Sequence, residues 1–157
     1  MYIYTQKIPM PLMHAALTDP DFGFDIRDEN GHNLRIDIPV DQGGGGTGFR
    51  PMQTVLAALC GCSGVDVVSI LKKQKQELKG LEIKIDGERE KGKEPSLWET
   101  IHMRFELMGV VEPGKAWRAV DLSVNKYCSV AETLRRAGAI ITWSVIVNGE
   151  EVNTNPA

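Results

Sequence analysis

The sequence predicts an α+β fold, and three observations carry that reading. Pro51 to Lys73 is an almost unbroken apolar stretch with helical spacing, Val55, Leu56, Leu59, Val65, Val67, Val68, Ile70 and Leu71. Several shorter runs alternate apolar and polar residues with period two, which is the signature of half-buried strands. These runs stand next to one another with turn residues between them and do not alternate one for one with helices. The strands are therefore expected to pair antiparallel, not as a doubly wound sheet.

In chain order, residues 1–18 are predicted to form an N-terminal strand or arm. Tyr2, Ile3 and Tyr4 suit a strand, and Pro9 and Pro11 then break it. Phe22, Phe24 and Ile26 alternate, as do Leu34, Ile36 and Ile38, with Asn30-Gly31 between them as a hairpin signal. Asp41 to Arg50, DQGGGGTGFR, reads as a flexible loop. Pro51 then fits the first helical position, where its missing N–H costs nothing. From Val55 to Val65 no polar face is left, so the helix is predicted to be buried on all sides. It reads as too short and too interrupted to cross a bilayer, since Asp66 and Lys72 follow. Gly61 and Gly64 each cost about 1 kcal/mol against alanine in mid-helix, which implies close approach of another backbone.

Lys79-Gly80 reads as a helix stop. Leu81, Ile83 and Ile85 then form one strand, and Ile101, Met103, Phe105 and Leu107 another, joined by a longer turn over residues 91–99. Pro113-Gly114 opens a helix running to about Tyr127. Ser129 reads as the N-cap of a short third helix with Glu132 completing a capping box, and Gly138 ends it. Ile141, Trp143, Val145 and Val147 make the last strand. No repeat or linker divides the 157 residues, which are read as a single domain.

Apolar residues make up 42% and charged residues 25%, as in globular proteins. The net charge of −3 and the lack of a basic run argue against nucleic acid as a partner. No signal-peptide core or membrane segment is read, so the expected location is the cytoplasm. There, three cysteines are not a disulfide framework. Gly43 to Gly48 mimics a phosphate cradle, but Phe49-Arg50 stand where lysine and a hydroxyl residue are required. Cys60 and Cys62 are about 200° apart around a helix, so they cannot chelate one metal ion together, and His102 adds no case for one. Neither a metal nor a cofactor is expected. The remaining chemistry is that of thiols. Cys128 stands at a helix start, where the dipole lowers a thiol's pKa, and a thiolate beside a second thiol is the minimum equipment for reducing a peroxide. Spacing alone leaves this level with inert core cysteines.

The run Pro51-Met52-Gln53, Ala57-Ala58, Cys62-Ser63 and Asp66-Val67-Val68 resembles the central helix of the OsmC/Ohr family (osmotically inducible protein C and organic hydroperoxide resistance protein). Glu99 to Gly109 and Lys126-Tyr127-Cys128-Ser129-Val130 extend the resemblance. It implies an OsmC-like fold, an intertwined homodimer with the long helices at its centre, and a thiol-dependent reduction of organic hydroperoxides. Cys62 matches the attacking cysteine and Cys128 the resolving one, Cys60 is additional, and an external dithiol supplies electrons. The family's activating Arg–Glu pair is missing. Met52 stands in the glutamate's place with Gln53 next, and Arg27, Arg35 and Arg50 are candidates for the arginine. This places the chain in a branch that keeps the cysteines without the pair. The alternative is a non-catalytic protein of the same fold that binds a small apolar ligand at the dimer interface, with Met52, Leu59 and Trp117 as candidate lining.

Overall fold

The computed structural model describes residues 12–153. The expected strand over Tyr2–Tyr4 lies outside them. The chain's contacts form two compact units, residues 1–55 and 56–157, and the division falls inside the first turns of the long helix, not in a linker.

In the first unit β1 (Met13–Leu17), β2 (Phe24–Asp28) and β3 (Asn33–Ile36) form an antiparallel meander. The Asn30-Gly31 turn is held by Asp28, whose carboxylate accepts from the amides of Asn30 (2.9 Å) and His32 (2.8 Å). Gly31 supplies the positive φ of +86° that the turn requires.

The glycine-rich segment that follows is an ordered structure, contrary to the flexible loop expected. Asp37 is 1% exposed. Its carboxylate accepts from the Thr47 hydroxyl (2.7 Å), the Thr47 amide (3.0 Å), the Ile38 amide (2.7 Å) and the Gly45 amide (3.4 Å). Two of the glycines are needed for close approach. A Cβ on Gly44 would lie 2.2 Å from the Ile38 carbonyl oxygen, and one on Gly48 2.5 Å from that of Arg35. Composition suggested flexibility, but here glycine serves tight packing. The Gly45 and Thr47 amides that could face a phosphate are turned onto Asp37.

The second unit holds a four-stranded sheet in the order β4 (Glu77–Arg89), β5 (Trp98–Val110), β6 (Ile140–Val147), β7 (Glu150–Glu151). β4 and β5 are an antiparallel hairpin with Ile83 opposite Phe105. β5 and β6 are parallel, with Met103 opposite Trp143, which corrects the expectation of antiparallel pairs throughout. The reason is the connection. Parallel neighbours need a crossover of a dozen or more residues, and the helical segment 113–136 provides it. Ile101, Met103, Phe105 and Leu107 of β5 are all buried, and Val145, Ile146 and Val147 of β6 join them.

The long helix α1 (Pro51–Lys73) buries Leu56, Leu59, Ser63, Val67 and Leu71, one stripe at three- and four-residue spacing. Its other side is not buried in this chain, and Val65 is 71% exposed. Burial on all sides was expected, yet one protomer covers only one face. At 23 residues α1 also matches the length of a membrane span, so shortness is no argument against one.

Asp37 generates a prediction. Its carboxyl is held below the ordinary 3.8, at about 2, by the Thr47 hydroxyl and amide ahead of the remaining donors. A lowered carboxyl stabilises fully above its ordinary value, and that contribution is lost as pH falls through the folded value. Amide protection at Gly45 and Thr47 should therefore persist to pH 4 and fall as pH approaches 2. Asp37→Ala should show low protection at neutral pH with no further acid step. Equal protection in the two proteins by hydrogen exchange would refute the role of Asp37.

Candidate functional site

Helix α1 starts with half of a capping box. The Gln53 side chain accepts from the Arg50 amide (3.0 Å), one position before Pro51. About three turns further, Ser63 is fully buried, and its hydroxyl donates back to the Leu59 carbonyl (2.7 Å). Cys62 and Asp66 flank it, both half-buried, four residues apart and so on one face.

Cys128 reaches that face through the second helical segment. α2 (Pro113–Leu122) gives way to a π-helical turn over Ser123–Tyr127, closed by the Cys128 amide donating to the Ser123 carbonyl (2.8 Å). Ser123 is fully buried. Its hydroxyl lies 3.1 Å from the Ser63 carbonyl oxygen and 3.3 Å from an Asp66 carboxylate oxygen. That contact ties the π-turn to α1 beside Cys62. Arg135 braces the turn, donating to the Val124 carbonyl (2.7 Å) and the Asn125 side chain (2.9 Å). The outcome is a cluster in which the Sγ atoms of Cys62 and Cys128 and a carboxylate oxygen of Asp66 all lie within 4.8 Å of one another.

Cys128 itself caps α3 (Ser129–Arg136). Its sulfur accepts from the Ala131 amide (3.4 Å), and its backbone is extended, at φ −70° and ψ 105°. The expected capping box on Ser129 does not form. Ser129 is the first helical residue, and Glu132 pairs with Arg136 (2.8 Å). The expected lowering of the Cys128 thiol is also overturned. Burial pushes it up to about 11, and the neighbouring Cys62 adds to the rise. The Ala131 and Val130 amides pull the other way without prevailing. A helix N-terminus favours a thiolate, but a side chain only 3% exposed loses more by leaving water.

The other candidates lie elsewhere. Arg35 pairs with Asp19 (2.6 Å) and Asp25 (3.3 Å) and also donates to Thr47 and Thr18, all within the first unit. Arg27 donates to Asn33 across the hairpin (3.4 Å), and Gln53 serves the Arg50 amide. Cys60 points away from the cluster, as helical geometry requires. It lines an open groove of about 770 Å³ with Gly61, Gly64, Val65, Val68 and Ile83, and burial raises its pKa. A Cβ on Gly61 would meet nothing within 4 Å, so no backbone of this chain explains that glycine. Leu59, a candidate ligand contact, is fully enclosed core, while Met52 and Trp117 are half-buried. His102 bonds Thr142 (2.8 Å) and Ser144 (3.2 Å) and is no part of the site. Asp66 and Ser123 were not singled out from the sequence. A carboxylate four residues after a cysteine in an otherwise apolar helix was the available signal for Asp66; nothing marked Ser123.

Three comparisons bear on this arrangement. A family profile described as "OsmC-like protein" matches residues 43–144. The chain is 42% identical over 101 residues to Protein YhfA of Escherichia coli strain K12, spanning 64% of this chain and 75% of YhfA. In fold it is similar to a hypothetical protein from Aquifex aeolicus VF5, with a TM-score of 0.73 at 31% identity, covering 88% of this chain and 98% of that one. It also shares the fold of an organic hydroperoxide resistance protein OsmC from Legionella pneumophila, with a TM-score of 0.68 at 16% identity, covering 89% and 98%.

The cap gives a test that is independent of any activity. Cys128→Ala removes the acceptor for the Ala131 amide and should destabilise the fold by about 1 kcal/mol in urea denaturation, whereas Cys128→Ser, which keeps an acceptor, should recover most of that. Equal stability of the two variants would show that the sulfur does not cap.

Proposed function

Because the chain belongs to the OsmC-like protein family, we propose that it is a thiol-dependent peroxidase of organic hydroperoxides acting in peroxide stress. The observation that carries this reading is the approach of the Cys62 and Cys128 sulfurs to within 4.8 Å in one chain. A disulfide places sulfurs about 2 Å apart, so side-chain rotation and a small shift of the π-turn suffice to close it. Cys62 is the more accessible of the two, and burial opposes a thiolate at Cys128. Attack is therefore assigned to Cys62 and resolution to Cys128.

The Cys62 thiolate attacks the terminal oxygen of the hydroperoxide and breaks the O–O bond. The sulfur becomes a sulfenic acid and the departing alkoxide leaves as an alcohol after gaining a proton. Cys128 then displaces hydroxide from that sulfur, which departs as water, and an external dithiol reduces the disulfide. No cofactor is required, and a cytoplasmic setting suits a cycle that depends on reduced thiols.

The exposed side of α1 supports a homodimer as the working unit. Cys60, Gly61, Gly64, Val65 and Val68 form an apolar face along the groove, and a second copy would cover it. The groove is also what favours the second reading, a protein that holds a small apolar ligand there without catalysis.

Two measurements test these proposals. Substoichiometric organic hydroperoxide should yield a Cys62–Cys128 disulfide by peptide mapping. Cys62→Ser should abolish turnover, Cys128→Ser should leave a trappable sulfenic acid on Cys62, and Cys60→Ser should change little. Oxidation at Cys60 with Cys62 untouched would remove the peroxidase reading and leave the ligand-binding one. For assembly, light scattering at micromolar concentration should give a dimer, and Val65→Asp should convert it to monomer by burying a charge in the interface. A monomeric parent protein would refute the dimer.

A further inference from the structure

The carboxylate in the cluster is unused by the peroxidase reading. The steps written above are carried by the two sulfurs and assign this carboxylate no bond. Asp66 makes no ion pair with Lys, Arg or His among the described residues. Its named partner is the neutral Ser123 hydroxyl at 3.3 Å. It also borders a cleft of about 560 Å³ lined with Ser69, Lys73, Leu122 and Tyr127, so the carboxylate faces solvent-accessible space.

We propose that Cys62, Cys128 and Asp66 form a binding site for a thiophilic divalent cation of the Zn²⁺ class, with the fourth position open to water. Two sulfurs and one carboxylate oxygen are a donor set that Zn²⁺ accepts in tetrahedral geometry, at about 2.3 Å to sulfur and 2.0–2.2 Å to oxygen. Ligand atoms around such an ion stand somewhat under 4 Å apart, so donors already within 4.8 Å need only small rotations. The scaffold is also suitable. Cys62 and Asp66 are one turn apart on a helix whose neighbouring Ser63 is locked in place. Cys128 is fixed by its cap bond and by the braced π-turn.

The charge balance closes. Two neutral thiols and one carboxylate, of net charge −1, bind the dication with loss of both thiol protons, so the net charge of the site stays −1. Affinity must therefore rise with pH. One consequence rests on the peroxidase reading: the bound ion occupies both thiolates, so it protects them from hydroperoxide. If oxidation does proceed, hydroperoxide, two thiolates and two protons become disulfide, alcohol and water, and the ion is released.

The test uses the reduced full-length protein with Co²⁺ as the optical probe and Zn²⁺ as competitor. One equivalent of Co²⁺ per chain should produce thiolate-to-cobalt charge-transfer absorption, and Zn²⁺ should bleach it. Cys60→Ser should match the parent. Cys62→Ser and Cys128→Ser should lose the band. Asp66→Asn, close in shape and without the charge, should keep the band but bind measurably more weakly, because one charged oxygen ligand is lost. Absence of the band, its dependence on Cys60, or unchanged affinity in Asp66→Asn would overturn the site. The two readings fail separately. A protein that forms the Cys62–Cys128 disulfide but never binds Co²⁺ or Zn²⁺ refutes the metal site alone. One that binds the ion but, when metal-free, leaves its thiols reduced under hydroperoxide refutes the peroxidase alone.

Discussion

The contact between the Ser123 hydroxyl and α1 is the constraint on which the site depends. Two buried elements far apart in sequence meet there, and the hydroxyl proton is shared between the Ser63 carbonyl and the Asp66 carboxylate. A buried hydroxyl left without a partner costs about 1–3 kcal/mol, so the π-turn has one favourable seat on α1. The π-turn adds one residue to each closed ring relative to an α-helix, and such turns recur at functional sites. Here it ends α2 and swings the next residue, Cys128, into an extended backbone conformation. From there its sulfur serves two neighbours, the Ala131 amide and Cys62.

This seating makes the two thiols unequal. Cys62 lies within α1 and Cys128 caps α3, and both are close to the same carboxylate. Cys62 is half-buried, while Cys128 is buried where the π-turn meets α3. Burial then outweighs the helix N-terminus at Cys128, although dipole and amide contacts act in the opposite sense. The division of labour proposed for them, attack by Cys62 and resolution by Cys128, thus rests on packing. It does not require a different kind of residue at either position.

Periodicity made the strands and the long helix legible because it reports directly which side of an element is buried. Ile101, Met103, Phe105 and Leu107 alternate in sequence and are all buried in the structure. Two things were not legible for physical reasons. The parallel pairing of β5 with β6 depends on where a crossover returns the chain, which local pattern does not encode. The order of the glycine loop depends on Asp37, a single buried carboxylate eight and ten residues away from the amides it collects. At the site, both cysteines stood out by type and by resemblance. Asp66 passed as the polar end of an apolar run, and Ser123 as one more small residue in a helix. A hydroxyl that matters through one tertiary contact has no local signature.

The missing Arg–Glu pair can now be put in electrostatic terms. Arg35 is the arginine best held by structure, but Asp19 and Asp25 balance its charge twice over, so this group carries no net positive charge toward any neighbour. Within the second unit the ionisable group that stands with the two thiols is a carboxylate, Asp66, where an arginine would be cationic. What raises the Cys128 thiol is first its own burial and then the neighbouring Cys62. Burial keeps the Cys128 sulfur protonated; a dication bound as proposed would hold both sulfurs as thiolates, with Asp66 as its oxygen ligand.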